Sequence, residues 1–501
     1  PSFSRDLDLY PGNDAPTTST PSSVKSHYAP VQREITALDL EITGTVPEYL
    51  DGRYLRIGPN PLGEQDPSRY QVFMGEGMAH GLRLGGGQAH WYRNRWVRSA
   101  DLARRLGESA RSGPHYGGND FAGNTNIIGH GGRTLALTEA GVRPYELSEE
   151  LDTVAPSDFC GTLFGGYTAH PKCDPATGEL HAVSYNPLRG NIVQYTVTDI
   201  DGKVRHAVDI RLDTQTMMHD FSLTEKYVVL YDLSVALDLA AAVSARPAKA
   251  VARWLTRFVE RHASPDFVLR AAMRGSERIG PPDIGLPYRW APERRSRVGI
   301  MPRLGTAADI RWFDVQPCFV FHPLNAYDDG DSVVLDIVRY PSIFASGAYL
   351  VPGNRTLDRW TVDLVRGDVT EERIDDTPQE FPRVDERLVG RRHRYGYVVG
   401  YRPGSLGLAE PNALLKHDAA TRTTQSVSFG PGREPGEFVF VPSSPNAAED
   451  DGVAMGFVYD RAADRSDLVI LDAATLETVG TVHIPARVPH GFHGNWAPTQ
   501  G

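Results

Sequence analysis

The chain has 501 residues, of which 40% are apolar and 23% charged, enough apolar material for a large core and against wholesale disorder. Its 52 Lys and Arg stand against 63 Asp and Glu, and the net charge of −11 argues against general binding of nucleic-acid phosphates. Glycine (49) and proline (37) are both in excess, which favours many short strands and turns over long helices.

The first 30 residues are rich in Ser, Thr, Pro and Asp, lack an apolar signal-peptide core, and read as a flexible extension (1–30). From residue 31 to 501 short apolar or alternating runs recur, each bounded by Gly, Pro, Asp or Asn. Val228-Val-Leu-Tyr-Asp-Leu, Val333-Val-Leu-Asp-Ile-Val, Tyr397-Val-Val-Gly-Tyr and Val453-Ala-Met-Gly-Phe-Val-Tyr read as strands by their β-branched and aromatic content. Asp174-Pro-Ala-Thr-Gly178 and Asp199-Ile-Asp-Gly202 read as hairpin turns. The stretch from Asp467 to His483 reads as strand, turn and returning strand. No crisp repeat motif stands out, yet a meander of such length suits one all-β domain, a β-propeller, better than a sandwich. Cys160, Cys173 and Cys318 match neither a disulfide framework nor a zinc spacing and read as reduced thiols of a cytoplasmic protein. No window approaches 18 consecutive apolar residues.

Residues 235–297 depart from the strand pattern and read as a largely helical, basic cap insertion. Between Arg246 and Arg297 twelve basic side chains face five acidic ones, a local charge of +7. Val251, Trp254, Leu255, Phe258 and Val259 recur at helical spacing, with Arg253, Arg257 and Arg261 on the other face. Two readings stand side by side: a helix packed on the domain with a solvated basic face, or an amphipathic patch in peripheral contact with an anionic membrane.

Of the sixteen histidines, His27, His90, His115, His206, His262, His393 and His417 sit in polar contexts and read as surface residues. Four others lie at strand edges: His170 in Tyr-Thr-Ala-His-Pro-Lys, His219 in Met-Met-His-Asp-Phe-Ser, His322 in Phe-His-Pro-Leu-Asn, and His493 in His-Gly-Phe-His-Gly-Asn-Trp. Gaps of 49, 103 and 171 residues exclude a local chelating motif. They suit ligands brought to one axis from different blades; the blander reading is four satisfied core histidines.

A resemblance sharpens the choice. The segment Glu41-Ile-Thr-Gly-Thr-Val-Pro-Glu-Tyr-Leu-Asp-Gly-Arg-Tyr-Leu-Arg-Ile-Gly-Pro-Asn-Pro61 resembles the opening motif of the carotenoid cleavage dioxygenases. Gly75-Glu-Gly-Met-Ala-His-Gly81, Asn124-Thr-Asn126, His170-Pro-Lys-Cys-Asp-Pro and Ala486-Arg-Val-Pro-His-Gly-Phe-His-Gly494 match in order, over the chain from about residue 31 onward. The resemblance implies a seven-bladed β-propeller with a helical cap on one face and one non-haem Fe(II) per chain on its axis. It implies His170, His219, His322 and His493 as iron ligands. Glu139, Glu380 and Glu437 would accept N–H bonds from His219, His322 and His493 respectively. Four neutral imidazoles suit Fe(II) and leave positions for O₂, the co-substrate, and for substrate. By the same resemblance the methyl of Thr125 would crowd one open position. His490 and His80 match no ligand; His80 reads as a core hydrogen-bonder.

The implied reaction is dioxygenation, in which O₂ adds across one conjugated C=C bond and leaves two carbonyl products. Stilbene-cleaving members resemble one another in placing Lys before the first of the three glutamates. Here that position is Thr138, which favours a long apolar polyene, a carotenoid or apocarotenoid, in an aromatic-lined pocket. The alternatives are a stilbenoid dioxygenase and a non-enzymatic propeller that serves as a binding module. No obligate protein partner is inferred.

Overall fold

The computed structural model describes residues 27–63, 65, 73–113, 123–164, 166–238, 254, 286–344, 355–405 and 410–499. Its strands form seven antiparallel sheets around one axis, a seven-bladed β-propeller, with one further two-stranded ladder. The second to sixth blades follow the chain as successive four-stranded meanders at 126–156, 172–211, 222–314, 319–375 and 379–428. Both expected hairpin turns join strands of the third blade: Gly178 N–H donates to Asp174 O (2.8 Å) and Gly202 N–H to Asp199 O (3.0 Å).

The first and seventh blades close the ring with strands from opposite ends of the chain. In the first, Gly494–Pro498 pairs with Gly52–Pro59, and Thr36–Leu38 pairs with Gln88–Trp96 on the far edge. In the seventh, Ile42–Gly44 pairs with Thr478–His483, the returning strand of the predicted Asp467–His483 unit. Opening the ring would break these ladders together, which makes closure cooperative.

Strand composition follows position. Gly452–Asp460 is buried on both faces because neighbouring blades stack on it, and its sequence is nearly all apolar. Asp368–Asp375 forms an outer edge and carries five charged side chains, which discourage pairing with another chain. The strands nearest the axis are Asn126–His130, Lys172–Cys173, Ser222–Leu223, Phe319–Asp329, Gln379–Arg383, Val439–Pro442 and Gly494–Pro498. Two glycine contacts explain parts of the motifs. A Cβ on Gly58 would lie 2.4 Å from Gly491 Cα, and one on Gly77 would lie 1.9 Å from Gly123 O. A side chain on Gly58 would push off the segment that leads into Gly494–Pro498 of the same blade, and one on Gly77 would push the first blade from the segment that enters the second.

Several expectations need correction. The 235–297 insertion is not helical at its ends: Val235–Leu237 and Tyr288–Trp290 pair as strands, and Arg297–Pro302 belongs to the fourth blade. Returning to the blade that it interrupts requires the two ends to meet, and β pairing supplies that meeting. Trp254 is helical and 62% exposed, whereas Val251, Leu255 and Phe258 lie outside the described residues. No helix among the described residues is long and apolar enough to cross a membrane. His27, His393 and His417 are buried, not at the surface. His27 stacks on Tyr459 with centroids 4.5 Å apart, His393 Nε2 lies 3.3 Å from Asp336 Oδ2, and His417 Nε2 meets Gln379 Oε1 at 2.7 Å. These partners come from distant parts of the chain, so local polarity concealed them. Packed chain thus begins inside the expected 1–30 extension; residues 1–26, His115 and His262 lie outside the described residues.

Trp360 is fully buried in the largest core cluster, which spans the third to fifth blades. Replacing it with Ala is expected to cost about 3–5 kcal/mol, read from the midpoint and slope of a denaturant unfolding curve.

Candidate metal centre

Six of the seven strands nearest the axis bring a histidine or glutamate to the centre, either just before the strand or at an irregularity in it. His170, His219, Glu437 and His493 precede their strands by one to three residues. His322 and Glu380 sit inside theirs, each where the ladder shifts register. Such bulges re-aim a side chain. At the second, Phe381 adopts φ +55° and donates its N–H to Glu380 Oε2. The second blade contributes Glu139 from the turn after Arg133–Leu137, where Ala140 and Gly141 both have positive φ.

The four histidines meet. His219 Nε2 lies 3.0 Å from His170 Nε2 and 3.2 Å from His322 Nε2. Ligating atoms of His170, His322 and His493 lie within 4.8 Å of one another. Each predicted glutamate stands behind its predicted histidine. Nδ1–H of His219 donates to Glu139 (2.8 Å), that of His322 to Glu380 (2.7 Å) and that of His493 to Glu437 (3.0 Å). A carboxylate can only accept, so the hydrogen of each of these rings sits on Nδ1 and its Nε2 carries a lone pair. Lone pairs that converge at about 3 Å repel unless a cation lies between them. Two imidazoles bound at right angles to a metal, with bonds of about 2.0–2.1 Å, place their nitrogens about 3 Å apart. The donor set therefore fits a divalent ion.

His170 differs from the others. The nearest carboxylate, Asp220 Oδ2, is 3.9 Å from its Nδ1, too far for a hydrogen bond. Asp220 is instead held by Lys172 Nζ (2.9 Å) and the Phe221 N–H (2.7 Å).

Electrostatics favour the neutral form of His170 and His493 but not of His322, where burial lowers the ring and the Glu380 carboxylate outweighs it and raises it. Burial pushes His493 down to about 4, against the pull of Glu437. Burial and the neighbouring imidazoles hold His170 well below the ordinary histidine value. Burial alone would raise Glu437, but Arg383 and His493 outweigh it and hold that carboxyl at about 2. A carboxyl held below its unfolded value adds stability that is fully present above about pH 4.5 and is lost as pH falls towards 2.

Residues that sequence reasoning did not single out complete the centre. Arg383 lies 3.2 Å from Glu437 and also donates to Gly494 O and Asn495 Oδ1 (both 2.8 Å). Tyr340 OH donates to Glu380 Oε1 at 2.9 Å. Asn126 Nδ2 donates to the carbonyl of Ala169, next to His170, at 2.7 Å, and Asn126 Oδ1 accepts from Asn495 Nδ2 at 3.0 Å. Asn126 and Asp220 lie inside the Asn124-Thr-Asn126 and Met-Met-His-Asp-Phe-Ser motifs, and Arg383 follows Glu380 by three residues, so the signal was adjacent.

A cavity of about 230 Å³ meets His219, His322 and His493. Phe73, Met217, Phe321, Phe344, Phe381 and Phe492 make its wall largely apolar. Thr125 and Thr138 line it too. The Thr125 hydroxyl donates to Asn124 Oδ1 (2.9 Å), while Thr138 Oγ1 accepts the N–H of Asn124 (2.9 Å) and of Gly123 (3.1 Å). Tyr185, hydrogen-bonded to Tyr288 and Glu139, supplies a rare polar spot in the wall. His490 stands apart: its Nδ1–H donates to Gly491 O (2.9 Å) and its ring stacks on Tyr28. His80 is buried with Nδ1 2.9 Å from Tyr92 OH, the expected core hydrogen-bonder.

Replacing Glu437 with Gln keeps the shape but weakens the acceptor for His493. It is expected to lower divalent-metal affinity about 10–100-fold, measured by equilibrium dialysis and elemental analysis.

Residues 28–498 match the family model described as retinal pigment epithelial membrane protein. A carotenoid cleavage oxygenase of Mycobacterium tuberculosis is 50% identical over 495 residues, covering 95% of this chain and 97% of the relative. The structure resembles a lignostilbene dioxygenase of Pseudomonas brassicacearum, with TM-score 0.78 and 29% identity over 95% of this chain and 98% of that one. It also resembles a mutant apocarotenoid oxygenase of Synechocystis, with TM-score 0.76 and 25% identity over 96% of this chain and 99% of that one. The chain belongs to the family of the carotenoid cleavage oxygenases.

Proposed function

We propose that the chain is a non-haem Fe(II)-dependent dioxygenase that cleaves a conjugated C=C bond of a carotenoid or apocarotenoid to two carbonyl products. The observation that carries this reading is the convergence of imidazole nitrogens on one edge of an aromatic cavity. His170, His219, His322 and His493 would hold the iron, with Glu139, Glu380 and Glu437 accepting from three of the rings. When bound, the ion supplies activation of O₂ beside the double bond.

The chain's own side chains do the rest. Glu139, Glu380 and Glu437 keep three rings in one tautomer, and their charge balances a dication that four neutral ligands leave uncompensated. Phe321 meets His219 edge-on (5.1 Å, 87°) and Phe381 stacks against His322 (5.7 Å, 24°), so the substrate side of the centre is apolar and water is displaced from it. Phe73 and Phe492 stack at 5.7 Å and extend that wall, which suits a flat polyene. Thr125 spends its hydroxyl on Asn124, which leaves its methyl as the group that would crowd an open iron position. No side-chain nucleophile or proton donor is needed for fission of a C=C bond by O₂.

The stilbenoid reading has one observation in its favour, the likeness to a lignostilbene dioxygenase. Against it, Thr138 carries no charge to hold a phenolate, and its oxygen is committed to two backbone N–H groups.

Two experiments test the proposal. His219→Ala and His322→Ala are each expected to abolish bound iron and product formation; full iron stoichiometry in either would refute the ligand assignment. Aerobic incubation with an apocarotenal and with a hydroxystilbene, followed by product mass, is expected to give two carbonyl fragments from the first alone. Cleavage of only the stilbene would reverse the substrate reading.

A further inference from the structure

The centre stands between two cavities of opposite character. The apolar one meets His219, His322 and His493; a second, of about 110 Å³, meets His170, His322 and His493. His219 lines only the first and His170 only the second. The second cavity is polar, with Lys172, Asp220, Arg383, Glu386 and Glu437 in its wall: three acids against two bases. Exposure falls along it. The Glu386 side chain is 56% exposed, Lys172 23%, Arg383 13%, Asp220 3% and His170 5%. The cavity therefore opens to solvent beside Glu386 and ends on the histidines.

We propose that the divalent metal reaches its ligands through this polar half of the propeller axis, drawn in past Glu386 and Asp220 and received first by His170. This rests on the reading of the four histidines as metal ligands. Three features favour the route. A hydrated dication crossing the aromatic cavity would shed water against a wall with little to replace it, whereas the polar cavity offers carboxylates along its length. Lys172 holds both oxygens of Asp220, at 2.9 and 3.0 Å, so Asp220 attracts an ion without becoming its final ligand. And His170 is the one ring of the four without a carboxylate within hydrogen-bond distance of Nδ1, so it is the least constrained in turning its Nε2 to an arriving ion. The apolar cavity is thereby left to substrate.

The test is the rate at which chelator-stripped protein takes up Co(II), followed by the visible absorption of bound cobalt, without substrate or turnover. Glu386→Lys is expected to slow uptake about tenfold at low ionic strength, with the difference shrinking in 0.5 M salt, and Glu386→Gln about two- to fivefold. Asp368→Lys, the same charge change on an outer strand, is expected to stay within about twofold of the parent. All should reach one cobalt per chain. Equal rates for Glu386→Lys and Asp368→Lys at full uptake would overturn the route alone. A parent chain that binds no cobalt would remove the ligand reading and the route with it.

Discussion

Three imidazole–carboxylate hydrogen bonds decide what the axis of this propeller can hold. By claiming the Nδ1–H of His219, His322 and His493, the glutamates leave three bare Nε2 atoms facing one point. Without a cation such an arrangement is a cluster of repelling lone pairs, and with one it is a rigid socket. Burying the carboxylates carries its own penalty, and the surroundings offset it. Arg383 and the Gly494 N–H serve Glu437, while Tyr340 and the Phe381 N–H serve Glu380. Each partner comes from a different blade or from the strand's own irregularity, so the electrostatics of the centre and the registration of the ring are one problem.

The ring also explains why the centre is two-sided. Side chains enter radially from the strands around the axis, and the space above and below the plane of nitrogens remains open. One side is walled by aromatic residues, among them Phe321, Phe381 and Phe492, and the other by charged residues, among them Lys172, Asp220 and Arg383. A sandwich or a closed barrel of the same size would fill both with core.

Much of this was legible in the chain. Strand content, the hairpins at Asp174–Gly178 and Asp199–Gly202, and the Asp467–His483 unit follow from local rules, and the four histidines with their three glutamates follow from motif resemblance. What stayed hidden depends on neighbours far away in sequence. Asn126 and Asn495 are 369 residues apart yet share a hydrogen bond, and no local pattern announces it. His393 and His417 look like surface residues because their flanks are polar; their partners Asp336 and Gln379 lie on other strands. Asp220 was overlooked beside His219 for a simpler reason. It serves a lysine, and its bearing on His170 appears only when the third and fourth blades meet.

Ring closure adds a constraint in time. Synthesis runs from the first blade round to the seventh, and the strand that completes the first blade, Gly494–Pro498, is made after all the others. His493 sits immediately before it, 171 residues after His322. A nascent chain thus carries three of its four converging histidines long before the last arrives. The residue that completes the donor set is tethered to the strand that seals the fold. Loss of that short stretch, by early termination or by a protease, removes one of the converging histidines and opens the ring in one event, so a partial chain cannot pass for a finished one.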